Sequence, residues 1–237
     1  MESDFTFEKL KEYFNKKAHI GKEHLFQREE VIQPFITISR ETGARGITIG
    51  EKLVSYLNEY DTDRKSNWIL FDKNLLEKVS EDHKLSSEII NLIPEKKIPE
   101  MQGIIEQFFG LHPSMTRINQ KVSETIIRLA TMGCVVIIGR GANIITRKLK
   151  KGLHIRLISS LEKKVENIMN IFNIDRNNAI KFIKKEDKDR TDYIKKNFNK
   201  DINDPHLYSM VLNLSILNID DVVRMIAEQA IKMRSYS

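Results

Sequence analysis

Short apolar runs alternate along this chain with longer stretches in which apolar residues recur every three or four positions. Residues 35–39, 68–71, 134–138, 153–158 and 208–214 are compact apolar runs and read as strands. The run 134–138 is apolar throughout, as a strand covered on both faces must be. Helical spacing predicts helices over 47–58, 73–81, 114–132, 161–172, 175–198 and from Asn218 or Asp220 to about residue 233. In the helix over 114–132, Met115, Ile118, Val122, Ile126 and Leu129 form one stripe, and Gly133 is placed to end it. Asp72 is placed to cap the helix that follows it. Residues 86–110 carry no clear period, and Pro94, Pro99 and Pro113 cut them into short helical pieces.

Strands that alternate with helices predict an α/β domain with a parallel sheet. Ligands of such sheets bind beyond the C-terminal strand ends, so the residues just after each strand carry the most information. Ahead of Pro34, residues 1–33 read as an extension in which Phe7, Leu10 and Phe14 give residues 5–17 an amphipathic helical face. That face suits docking on the domain or on a second subunit, which makes a homodimer a candidate state.

Composition narrows the classes. The chain has 237 residues, 41% of them hydrophobic, enough for one sizeable core. No run of about 18 apolar residues exists, so no membrane-spanning helix is expected. One cysteine, Cys134, sits within an apolar run and reads as a buried small hydrophobe. With an acidic start that lacks an apolar signal core, these features point to a cytoplasmic protein. The formal charge of +6 is compatible with a polyanionic ligand, but lysines interleaved with acids read better as solvated helix faces. No nucleic-acid or zinc signature is present, so nucleic acid is not an expected partner.

Three post-strand segments carry candidate chemistry. After the first strand, Arg40, Glu41, Thr42, Gly43, Ala44, Arg45 and Gly46 lead into a helix that begins near Ile47 and Thr48. A strand, a glycine-containing loop and a helix N-terminus can hold an anion on backbone N–H groups, and Arg40 and Arg45 can fork onto phosphate oxygens. An ordinary βα turn that needs glycine reads the same way. After the third strand stand Gly139, Arg140 and Gly141. Arg140 either pairs with a neighbouring carboxylate or points at the crevice, with the two glycines leaving room for a ligand. The charged run over 184–193 is either a solvated helix with pairs such as Glu186–Arg190, or a lid that closes cations over phosphate.

Taken in order, these segments resemble the cytidylate kinase-like family of nucleoside monophosphate kinases. Residues 36–50 resemble the family's Ile-x-Ile-Ser-Arg-Glu-x-Gly loop, and residues 136–142 its Val-Ile-x-Gly-Arg-Gly-Ala segment. Residues 154–169 fit its strand and Glu-x-(Lys/Arg) helix. Asp187 and Arg190 fit the lid's Asp-x-x-Arg, and residues 208–226, with Asn213, Asp220 and Asp221, resemble the last strand and helix. The resemblance spans residues 34–230. It implies a P-loop NTPase-type three-layer α/β/α domain over 34–237, with a monophosphate-binding insert over about 80–130 and a lid over about 175–205.

The resemblance also implies ATP-dependent phosphoryl transfer, with Mg²⁺ accompanying ATP, to a nucleoside monophosphate (CMP or dCMP) or a related small phosphate acceptor. Arg40, Gly43, Ala44, Gly46, Ile47 and Thr48 would hold the donor phosphates, and Thr48 would stand near Mg²⁺. Asp72, Arg117, Arg140 and Asp187 would meet the acceptor. Arg190, Arg140 and Arg45 would neutralise the transferring group. The chain departs from the common Walker loop, because Gly46 stands where a lysine belongs and no lysine follows until Lys52. Arg45 replaces a common glycine, and Gly141 replaces the aspartate of true cytidylate kinases. These departures leave a second expectation open, a nucleotide-binding pseudokinase without efficient turnover.

Overall fold

The computed structural model describes residues 33–62 and 67–235. The helix expected over residues 5–17 lies outside the described residues. Five strands, β1 (Phe35–Arg40), β2 (Ile69–Phe71), β3 (Val135–Ile138), β4 (Gly152–Ile158) and β5 (Met210–Asn213), form one parallel sheet in the order β2-β3-β1-β4-β5. Each matches an expected apolar run; β2, β3 and β5 are shorter than expected, and β1 and β4 each reach one residue further. All four residues of β3 are buried, as a central parallel strand requires. Cys134, just before it, is buried, as its place in an apolar run implies.

Nine α-helices surround the sheet among the described residues: α1 (Gly46–Tyr60), α2 (Lys73–Glu81), α3 (His83–Asn91), α4 (Ile98–Leu111), α5 (Arg117–Met132), α6 (Ala142–Ile145), α7 (Leu161–Phe172), α8 (Arg176–Phe198) and α9 (Ile219–Ser235). Two apolar clusters give the three layers. On one face, Ile49, Leu53 and Leu57 of α1 and Val222, Ile226 and Ala230 of α9 pack on Ile36, Ile38, Val136 and Ile155. On the other, α2 to α6 and the end of α8 pack on Phe35, Phe71, Val135 and Ile137. A smaller cluster of Val165, Ile168, Ala179 and Ile183 holds α7 against α8.

Two expectations are corrected. Residues 86–110 are mostly regular helix, because Pro99 sits in the first turn of α4, where a missing N–H costs nothing. Only a short link with a 3₁₀ turn, Glu95–Lys97, separates α3 from α4. Helix α5 begins at Arg117 rather than at residue 114, with Thr116 as its N-cap. Its apolar stripe is interrupted, since Ile118 is 66% exposed while Val122, Ile126 and Leu129 are buried.

One buried ion pair closes the domain behind the sheet. Asp61, at the C-terminal end of α1, accepts from both Arg234 Nη atoms near the end of α9 and from Trp68 Nε1 at 2.9 Å. Asp61 is 1% exposed.

Candidate functional site

The C-terminal ends of β1 and β3 open into a cavity of about 620 Å³. That volume suits a small organic ligand. Four segments bring charge to it: Arg40 at the end of β1, Asp72 before α2, Arg140 after β3, and Glu186, Asp189 and Arg190 from one face of α8.

Arg40 is the most informative side chain. Its stem passes beneath the start of α1, where a Cβ on Gly46 would lie 2.9 Å from Arg40 Cγ. Its guanidinium then reaches β3, where a Cβ on Gly139 would lie 2.4 Å from Arg40 Nη1. Gly139 has φ +84°, so glycine there answers both backbone and space. Among the described residues the Arg40 side chain has no hydrogen bond or salt bridge. Burial, followed by the nearby charge of Arg190, lowers its pKa to about 10, partly offset by Asp72. Arg40 remains a cation at neutral pH, in a place that suits an anion.

Arg140 is held on two sides. It forms a salt bridge with Glu77 of α2, and its guanidinium lies 5.4 Å from the ring centroid of Tyr193 on α8. Both alternatives for this residue are realised together, since it pairs with a carboxylate and lines the cavity. The glycines beside it do not leave ligand room as expected. The space over Gly139 is taken by Arg40, and that over Gly141 by the ring of Phe198. Asp72 caps α2 by accepting from Leu75 N at 2.8 Å while lining the cavity.

The loop after β1 is clamped from outside by α7 and α8. Asn167 accepts from Arg45 Nε and Nη2 at 3.0 and 2.8 Å and donates to Gly43 O at 2.8 Å. Lys164 bridges Glu41 and Asp187 at 3.1 and 3.3 Å. Asp187 Oδ1 accepts from both Thr42 N and Thr42 Oγ1 at 2.7 Å. Arg190 donates to Thr42 Oγ1 and pairs with Asp187 at 3.0 Å. The Glu186–Arg190 pair anticipated on a solvated helix is present at 3.4 Å, yet both residues line the cavity.

The expected site residues therefore divide. Arg40, Ile47, Asp72, Arg140 and Arg190 meet at the cavity. Arg45 is turned to Asn167 and lines no part of it. Asp187 serves the loop rather than the cavity. Gly43 packs against the backbone of Lys164, and Ala44 is fully buried in the core. Gly46 and Thr48 open α1 outside the cavity lining. Arg117 is exposed at the first position of α5 and does not reach the cavity. Arg45 is also the N-cap of α1 in the left-handed conformation, with no side-chain cap bond, so the first N–H groups of this helix have no side-chain acceptor there.

Sequence reasoning missed Glu77, Tyr193, Lys164, Asn167 and Arg156. Lys164 and Asn167 are polar residues buried on a helix, a pattern that marks a contact but not its partner. Arg156 had the plainest signal, a cation inside the apolar run of β4.

Among the described residues, no group of three or more His, Cys, Asp or Glu side chains is arranged to hold a metal, and no helix is long and apolar enough to cross a membrane. A model of the cytidylate kinase-like family matches residues 35–216. No curated protein matches the chain. A crystal structure of an uncharacterized protein from Eubacterium ventriosum ATCC 27560 is similar at 19% identity and a TM-score of 0.56, over 84% of this chain and 98% of that one. That likeness is one of fold. The family match covers most of the chain and the same loop, Gly-Arg-Gly turn and α7–α8 hairpin that build the site, and the chain thus belongs to the cytidylate kinase-like family.

Proposed function

We propose that this protein transfers the γ-phosphoryl group of ATP to a nucleoside monophosphate, CMP or dCMP by family, or to a related small phosphate acceptor. The carrying observation is the guanidinium of Arg40, unpartnered among the described residues, which lines with Arg140 and Arg190 a cavity of about 620 Å³ at the sheet's C-terminal edge. Phosphoryl transfer asks the protein mainly for positioning and charge stabilisation, and it needs no base of unusual pKa.

In this reading an acceptor phosphate oxygen attacks the γ-phosphorus, and the bond to the β–γ bridging oxygen breaks. ADP and a nucleoside diphosphate result. Arg140, steadied by Glu77 and Tyr193, binds the acceptor phosphate. Asp72, and the α3 to α5 region that corresponds to the expected insert over about 80–130, meet the rest of the acceptor. The open amides at the start of α1 face the donor phosphates. Arg40 supplies the charge that a Walker lysine would, through the space that Gly46 leaves free. Arg190 neutralises the group in transit from α8, within the expected lid over about 175–205.

Mg²⁺ would arrive with ATP. Such an ion keeps several waters and takes one or two carboxylates besides phosphate oxygens. Asp72, Glu186 and Asp189 line the cavity and fit that modest requirement, while Thr48 lies in the first turn of α1, outside the lining. The ion would neutralise phosphate charge.

One observation favours the second reading, a nucleotide-binding protein without rapid turnover. The Thr42 amide is occupied by the Asp187 carboxylate rather than open to an anion. Incubation with ATP, Mg²⁺ and each nucleoside monophosphate, following ADP release, separates the two. Acceptor-dependent release is expected. Tight nucleotide binding with no release for any acceptor would establish the pseudokinase instead.

A further inference from the structure

Beside the main cavity, between the ends of β1 and β4 and the face of α8, lies a smaller chamber of about 220 Å³. It is lined by Arg40, Glu41, Arg156, Asp187, Arg190 and Asn203, among others. Strand register sets Arg156 beside Ser39 in the middle of the sheet. Arg156 is only 5% exposed. A guanidinium cannot shed its charge, so burial there calls for a partner.

Its partners in the protein are neutral. Arg156 donates to Ser39 Oγ at 2.9 Å and to Asn203 Oδ1 at 3.4 Å. Among the described residues no carboxylate is paired with it, and its buried Nε has no hydrogen-bond partner. The two carboxylates of the chamber are already engaged. Glu41 holds Lys164 and accepts from Ser159 N, and Asp187 holds Lys164, Arg190 and Thr42. Lys188, also at the chamber, pairs with Asp192 at 3.2 Å. Arg40 and Arg156 thus share the chamber with no salt bridge of their own among the described residues, beside an Arg190 already paired with Asp187 and Glu186.

We propose that this chamber is a phosphate subsite, with Arg156 as its buried fork and Arg40 and Arg190 as its flanks. Three guanidiniums around a small polar space match a tetrahedral oxyanion. The proposal deepens the kinase reading and rests on it only for what carries the phosphate. The phosphate is either a group of a bound nucleotide or a free anion.

Thermal unfolding of the full chain tests it without reference to turnover. The protein, in phosphate-free buffer, is titrated with sodium phosphate, CMP, cytidine, and sodium chloride at matched ionic strength. Phosphate is expected to raise Tm where chloride and cytidine do not. Protection by CMP that competes with phosphate identifies the group as the nucleotide's, and protection that adds to it identifies a free anion. Arg156→Met is expected to weaken the phosphate response about tenfold or more while leaving the anion-free Tm unchanged or higher, because a crowded cation is removed. Should that variant not fold, Arg156→Lys keeps the charge, loses the fork, and is expected to show an intermediate loss. A phosphate response unchanged in both variants, or absent in the parent protein, overturns the subsite. Lack of ADP release with the phosphate response intact would count against the kinase reading alone.

Discussion

Arg40 carries more of the proposed chemistry than any other side chain, because its charge is set in the cavity with no partner among the described residues. Arg40→Met is expected to lower turnover by about 10³-fold while the chain folds normally, and Arg40→Lys to recover part of it. Steady-state ADP release, with circular dichroism as the folding control, checks both. Arg190→Ala should leave nucleotide binding largely intact and cut turnover by about 10³-fold. Unchanged turnover would remove Arg190 from the catalytic role.

His154 gives a residue-scale test of stability. Burial lowers its pKa from 6.5 to about 4, and Thr37 Oγ1 lies 2.8 Å from its Nδ1. Between those two values the unfolded chain holds the extra proton, so stability falls as pH drops through that window. The loss should reach about 2–3 kcal/mol at the acid end. Chemical denaturation at pH 7 and near pH 4 measures it, and His154→Gln should flatten the difference.

At the scale of elements, strands and long helices were legible because apolar periodicity reports burial directly. The run over 134–138 read as a covered strand, and β3 is one. Helix α2 matches its expected limits because Asp72 caps it as its position implies. The region over 86–110 was not legible, since α4 uses proline as a start signal and its faces answer to α5 rather than to a single apolar stripe. The candidate site was half legible. Position after a strand found Arg40, Asp72 and Arg140. It could not separate Arg45 from Arg40, because only the packing of α7 shows that Asn167 claims Arg45. Nor could spacing reveal that Asp187 reaches back across the chain to Thr42. That reach joins α8 to the loop after β1. Asp187→Asn should weaken the junction, which hydrogen exchange would report as faster exchange of the Thr42 amide with little change in the central strands.

Across the whole molecule, the sheet order places the loop after β1 beside the turn after β3, and the helices on the two faces fix that edge in place. The buried Asp61–Arg234 pair ties the last helix to the end of α1, the helix whose start forms part of the site. Asp61→Ala should cost about 3–5 kcal/mol, because it leaves a buried guanidinium uncompensated. Urea denaturation reads that loss, and a cost below about 1 kcal/mol would show that the pair is not structurally important. The proposed transfer needs two anions held at one edge of one sheet, a donor at the start of α1 and an acceptor near Arg140. The most direct measurement is the fate of label from ATP labelled at its γ-phosphorus, mixed with Mg²⁺, the protein and each nucleoside monophosphate in turn. The expected result is a labelled nucleoside diphosphate, with CMP or dCMP among the best acceptors, and its loss in Arg40→Met. Label that remains in ATP, or passes only to free phosphate with every acceptor, would contradict the phosphotransferase.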